Sequence, residues 1–162
     1  MSLSREELEL KINPSKANPD VFFKEVTNEA EALELVDKAL EAEIGMVRES
    51  RKKFMNVIIG IAVAAAGLVV LRSRTGEGIL KLVITILAAA LVLIILNLFS
   101  QVRSYRRIIQ DEEDTRRRLA EGSINAMDFL KQYRDYKLEG IQKAGLTEEF
   151  ARYEEIYRQE HA

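Results

Sequence analysis

Two blocks in this chain have no polar stripe at all. FMNVIIGIAVAAAGLVVL runs from Phe54 to Leu71, and ILKLVITILAAALVLIILNLF runs from Ile79 to Phe99. A helix on the surface of a soluble domain carries a polar face, whereas these two are apolar all round. At 1.5 Å per residue the first block reaches about 27 Å, close to the hydrocarbon thickness of a bilayer. The one charge in the second block, Lys81, stands near its end and can snorkel to the headgroups. Between them lies RSRTGEG, too short to recross a membrane, with Gly76 and Gly78 giving it turn freedom. The pattern therefore predicts an all-α membrane protein. Two transmembrane helices, 54–71 and 79–99, are joined by an external loop, 72–78, into a hairpin, with amphipathic helical arms, 1–53 and 100–162, on one side.

Outside the blocks the periodicity changes. Leu8, Leu10 and Ile12 suggest a short helix before Asn13-Pro14, and Asn18 is a natural cap with Pro19 at the first helical position. From Thr27 onward Leu33, Val36, Leu40, Ile44 and Val47 recur at three and four among charges, giving an amphipathic helix that leads into the first span. Its stripe needs a cover: the other arm, a second subunit or the membrane surface. After the second span, Val102, Tyr105, Ile109 and Leu119 continue a helix that Gly122 ends. Asn125 is placed to cap the next helix, which carries Leu130, Tyr133, Leu138 and Ile141. Gly145 breaks it, and Thr147 is placed to cap a last helix with Phe150, Tyr153, Ile156 and Tyr157. The tail tyrosines, Tyr133, Tyr136, Tyr153 and Tyr157, suit either a contact surface or a small helical core.

Charge sharpens this picture because it is segregated. Of the 162 residues 31% are charged, yet none of that charge lies in 54–71 or 82–99. Seven basic residues flank the spans on the arm side: Arg48, Arg51, Lys52, Lys53, Arg103, Arg106 and Arg107. The loop side has three: Arg72, Arg74 and Lys81. The excess places both termini in the cytoplasm or its topological equivalent, with Phe54, Phe99 and Tyr105 at that interface. MSLSREELELKINPSK shows no apolar leader, so the first span is expected to act as its own membrane signal.

Within the spans two features bear on packing. Gly60, Ala64 and Gly67 make a small-residue face, with Thr85, Ala88 and Ala89 at matching distances from the loop. The face suits a helix–helix seam within the hairpin or between subunits, or reflects only how common small residues are in membrane helices. Asn56 and Asn97 sit at similar depth, so they are expected to bond across the hairpin or a subunit interface, or else to reach interfacial water. With no Asp, Glu, His or Arg inside the spans, a proton relay of intramembrane side chains is not expected.

Candidate chemistry is sparse. There is no cysteine, and the one histidine, His161, is penultimate. No phosphate-binding glycine motif, nucleophile–base pair or metal-ligand cluster is visible, so neither enzyme activity nor a cofactor is expected. The arms mix both signs without a basic stripe for nucleic acid. Asp111-Glu112-Glu113-Asp114 precedes Arg116-Arg117-Arg118, which predicts Glu112–Arg116, Glu113–Arg117 and Asp114–Arg118 pairs along a solvated helix rather than a cation site.

LAEGSINAMDFLKQYRDYKL, residues 119–138, resembles the SHOCT short C-terminal domain. The pattern there is a helix, a glycine, an isoleucine–threonine pair and an acidic–phenylalanine pair. Leu119, Gly122, Ile124, Asp128 and Phe129 match it, Asn125 stands in the threonine place and Met127 replaces an acidic residue. The resemblance covers these 20 residues and implies a small oligomerisation or docking module. The expected function is a non-enzymatic scaffold or accessory subunit that lies in the lipid bilayer as a homo-oligomer or docked on a larger membrane complex. A channel-forming hairpin, lined by Asn56, Thr85 and Asn97, and a membrane-shaping hairpin are the alternatives.

Overall fold

A computed structural model describes residues 3–162; Met1 and Ser2, the first residues of the N-terminal arm, lie outside it. All regular structure among the described residues is helical: α1 (Arg5–Ile12), α2 (Asp20–Phe23), α3 (Glu29–Arg74), α4 (Ile79–Ala120), α5 (Ala126–Lys143) and α6 (Thr147–Glu160). The chain divides into two compact units, one formed by Met1–Met46 with Asp111–Ala162, the other by Val47–Gln110. They are termed here the polar unit and the apolar unit.

The helix ends follow local chemistry. Ser4 and Glu7 form a reciprocal capping box at α1, each side chain bonding the other's backbone N–H. Asn18 Oδ1 accepts from Asp20 N at 3.1 Å, but α2 begins at Asp20, so Pro19 rather than Asn18 holds the cap position and lies one residue before the helix. Asn28 Oδ1 accepts from Glu31 N at 2.8 Å to open α3. Gly122 closes α4 at φ +70°, where Ser123 N reaches back to Arg118 O at 2.9 Å, and Gly145 repeats this geometry after α5. Asn125 caps α5 through Asp128 N at 3.0 Å. Thr147 departs from expectation: it is the first residue of α6, Leu146 precedes it, and no side chain caps that end.

The core of the polar unit takes residues from several helices. Val21 of α2, Val36, Ala39 and Leu40 of α3, Leu119 of α4, and Leu130 and Tyr133 of α5 are buried together. A second cluster packs Leu8 and Ile12 of α1 against Ile141 and Tyr153, with Phe23 and Phe150 at its edge. The Phe23 ring lies 5.1–5.4 Å from the rings of Phe150, Tyr153 and Tyr157. Asn13, itself buried, holds the turn after α1: its amide donates to Ala17 O and its Oδ1 accepts from Ala17 N at 3.2 Å. Each helix brings one apolar face, and the faces close on one another.

The apolar unit is built otherwise. Both α3 and α4 are long and apolar enough to cross a membrane. The non-helical link between them is Thr75–Gly78, so Arg72, Ser73 and Arg74, expected in the loop, continue α3. Ser73 Oγ and Thr75 Oγ1 donate to Val70 O and Leu71 O, taking up carbonyls at the helix end. Gly78 sits at φ +149°, a conformation that a β-carbon disfavours.

Candidate functional site

Covered positions in the apolar unit follow a heptad-like rhythm. On α3 they include Phe54, Ile58, Ile61, Ala65 and Leu68, with Met55 half-buried beside the stripe; on α4 they include Ile84, Ala88, Leu91, Ile95 and Leu98, continuing to Val102, Tyr105 and Ile109. Spacings alternate between three and four, the signature of one narrow stripe per helix. The rings of Phe54 and Tyr105 stand 5.5 Å apart, centroid to centroid.

That stripe explains where the expected packing residues lie. Asn56, Gly60, Ala64 and Gly67 fall outside it and are exposed, and a β-carbon built on Gly60 or Gly67 would meet nothing within 4 Å. The small-residue face therefore does not form an intrachain seam. Asn97 is also exposed, and Asn56 and Asn97 make no hydrogen bond to each other. Two residues along a helix turn through about 200°, so a side chain two positions from Phe54 and two from Ile58 faces away from both. Ala88 is half-buried in the stripe, and the half-buried Thr85 beside it gives its hydroxyl to Lys81 O at 2.8 Å.

Between Val57 and Phe99 most of the remaining side chains face outward and are apolar. Seventeen large apolar side chains between Val57 and Phe99 are exposed, and only 11% and 6% of the most apolar windows of α3 and α4 are buried. An apolar helix in a soluble core would be mostly covered. A face of this extent is a candidate lipid-contacting surface.

The arm residues show the opposite placement. Val36, Leu40, Ile44, Leu130, Tyr133 and Tyr153 are buried in the polar unit, and Leu33, Phe150 and Tyr157 are half-buried there. Val47 falls in the apolar unit and is half-buried. The two arms thus cover each other's stripes, and those stripes are not free for a second subunit. Of the tail tyrosines only Tyr136, at 71% exposure, stays open.

Polar side chains bind the polar unit at defined points. Arg116 Nε and Nη2 donate to the two carboxylate oxygens of Asp37 at 2.6 and 2.8 Å, and Glu41 lies 3.5 Å away. The pair holds Asp37 below the usual carboxylate range. Arg116 is thus engaged across helices rather than with Glu112 one turn earlier, and Asp114 pairs with Arg117 at 2.9 Å instead of Arg118. The Glu112–Arg116 pair of the expected ladder does not form because both side chains face inward. Arg134 donates to Val21 O and Lys24 O, both at 2.7 Å, taking up carbonyls at the end of α2. Tyr157 Oη donates to Asp20 at 2.7 Å; burial, then Asp20, pushes its phenol up to about 12.

The most unusual group is Glu112. Its Oε2 is buried without a hydrogen-bond partner, and Glu43 is nearby. Burial, then the Glu43 charge, pushes Glu112 up to about 7, against the opposing pull of Lys137. Glu43 itself accepts from Tyr133 Oη and Lys137 Nζ, each at 2.5 Å. Sequence reading missed this cluster because its members come from three helices. Their only local signal is that Glu43 and Glu112 sit between apolar positions of their own stripes.

Comparison with protein-family models, curated proteins and solved structures finds no match.

Proposed function

We propose that this chain is a two-pass integral membrane protein that anchors its polar helical unit at the cytoplasmic face and acts there as a non-enzymatic scaffold or accessory subunit. In this reading α3 and α4 form an antiparallel transmembrane hairpin whose seam is the heptad stripe, and both termini are cytoplasmic. The observation that carries it is the outward apolar surface: two helices, apolar all round, leave most of their large side chains uncovered. The Phe54–Tyr105 ring pair and the four-residue link support an antiparallel return. The seven-to-three basic asymmetry supports the orientation.

Assembly in this reading uses the exposed small-residue face of α3. Asn56, Gly60, Ala64 and Gly67 follow one another at four, four and three, along one side that the heptad stripe does not use. A second copy packed there brings backbones close and offers the Asn56 amide a partner in lipid. The SHOCT-like segment 119–138 supplies a docking element on the polar unit. Its helix–turn–helix is fixed by Gly122 and Asn125.

Alkaline carbonate extraction tests the anchor: the protein is expected in the membrane pellet, and recovery of folded chain in the supernatant overturns the proposal. Because the chain lacks cysteine, Ser73→Cys is expected to react with an impermeant maleimide from outside, and Ser50→Cys is not. Crosslinking in mild detergent tests assembly. A Gly60→Ile/Gly67→Ile variant is expected to lose the crosslinked species, and an unchanged pattern would remove this face from the assembly.

A further inference from the structure

The two ends of the apolar unit differ in charge. Residues 47–53 and 100–110 carry seven basic side chains and one acid, Glu49, whose carboxylate is taken by Lys53 Nζ at 2.9 Å. Arg51, Lys52, Arg103, Arg106 and Arg107 are exposed and, among the described residues, form no ion pair. At the linker end Arg72, Arg74 and Lys81 face one acid, Glu77, which stands 3.6 Å from Lys81.

The same basic end carries a groove on α4. It has a volume of about 310 Å³ and is lined by Leu96, Phe99, Ser100 and Arg103. These residues recur at three, one and three along the helix, so they share a face that changes from apolar to cationic within two turns. Arg106 and Arg107 follow Arg103 at three and four and prolong that face beyond its apolar part. A ligand matching this order has a hydrocarbon chain at Leu96 and Phe99 and an anionic head at Ser100 and Arg103.

We propose that the basic end of the apolar unit selects anionic phospholipid, seating an acyl chain in the Leu96–Phe99 groove and its phosphate head against Arg103 and the flanking arginines. The proposal rests on the membrane reading above and deepens it by naming the lipid class. Charge complementarity carries the choice. Juxtamembrane basic clusters attract acidic headgroups, and guanidinium groups bind phosphate oxygens through paired N–H donors.

The chain has no tryptophan, so one introduced indole reports alone. Phe99→Trp keeps an aromatic ring in the groove, and Ile79→Trp places a reporter at the linker end, at a residue already exposed. Each is reconstituted in vesicles containing brominated phosphatidylglycerol or brominated phosphatidylcholine, and quenching is read against the mole fraction of brominated lipid. At Phe99→Trp the anionic lipid is expected to outcompete the zwitterionic one about fivefold or more. Quenching at Ile79→Trp should be near parity. Adding Arg103→Gln and Arg107→Gln to Phe99→Trp should bring it to parity, while Arg72→Gln should not. These arginines are exposed, so helicity by circular dichroism should be unchanged. Equal quenching by the two lipids at Phe99→Trp, or a preference that survives loss of Arg103 and Arg107, overturns lipid selection and leaves the membrane reading standing. No quenching by either lipid at either reporter overturns both.

Discussion

Val36 and Val63 belong to one helix and to opposite worlds. Val36 is fully buried among side chains of α2, α4 and α5, whereas Val63 is 68% exposed. Around Val36 the apolar positions form a stripe between charges, so a few neighbouring helices suffice to cover it. Around Val63 they form a full cylinder, and the narrow heptad stripe covers one side of it. Monomeric soluble proteins rarely leave apolar patches larger than a few hundred Å² facing water. The protein itself covers the first valine and leaves the second uncovered.

Placing the same charge at both valines breaks the comparison most sharply. Val36→Asp buries a carboxylate in a closed core and should destabilise the polar unit by about 4 kcal/mol or more, seen as loss of its thermal transition in detergent. Val63→Asp should leave that transition unchanged and instead disfavour membrane insertion by about 3 kcal/mol, read as a falling membrane-inserted fraction. An exposed valine on a water-facing helix would tolerate Asp in both assays. Unaltered insertion of Val63→Asp would therefore show that this face does not meet lipid.

Arg116→Ala gives a smaller effect, confined to the polar unit. It removes a bidentate bond to Asp37 and leaves that carboxylate without its cationic partner. Both side chains are partly solvated, so the cost should be about 1–2 kcal/mol, reduced in high salt. The apolar stripes of α3 and α4, at Ile58, Ala65 and Ile84, contain no charge, so their packing should not move with salt in the same way.

How much of this could be read from sequence differs between the two units. Stop and start signals are local and therefore legible: Gly122, Asn125 and Gly145 act where they stand, while Asn18 falls one residue short because Pro19 takes the cap position of α2. Thr147 does not cap α6, because helix entry there is set by the turn at Gly145 rather than by a side-chain oxygen. The apolar stripe of the arms was legible because charges interrupt it. Inside the apolar blocks no charge marks a register, so the inward face could not be told from the outward one; of the two seams that Gly60, Ala64 and Gly67 suggest, within the hairpin or between subunits, they do not form the first. A usable signal lay just outside. Val102, Tyr105 and Ile109 stand out among charges, and stepping back from Val102 by alternating four and three reaches Leu98, Ile95, Leu91, Ala88 and Ile84. Side chains that meet across helices, such as Asp37 with Arg116 or Glu43 with Tyr133 and Lys137, left no such trace.

The subtlest distinction concerns Glu112, a carboxylate buried in the polar unit where the apolar unit's covered stripe carries no charge. Its ordinary value of 4.5 is raised to about 7 by burial and by Glu43, only partly offset by Lys137. Between those two values the folded chain retains a proton that the unfolded chain has released. Stability should therefore fall as pH rises through this window and level off above about 7. Asp37 acts in the opposite sense, since its carboxylate is held low, but only below 3.8 and so outside the window. Glu112→Gln cannot take up charge, so its advantage over the parent should be near zero at the acid end. It should grow to about 1–2 kcal/mol at pH 8, after allowing for partial solvent access. Thermal melts of both proteins across this range measure the difference. A gap that is constant with pH would mean that Glu112 is solvated in the folded chain, and a gap that shrinks toward alkaline pH would mean that Lys137 rather than burial dominates its surroundings.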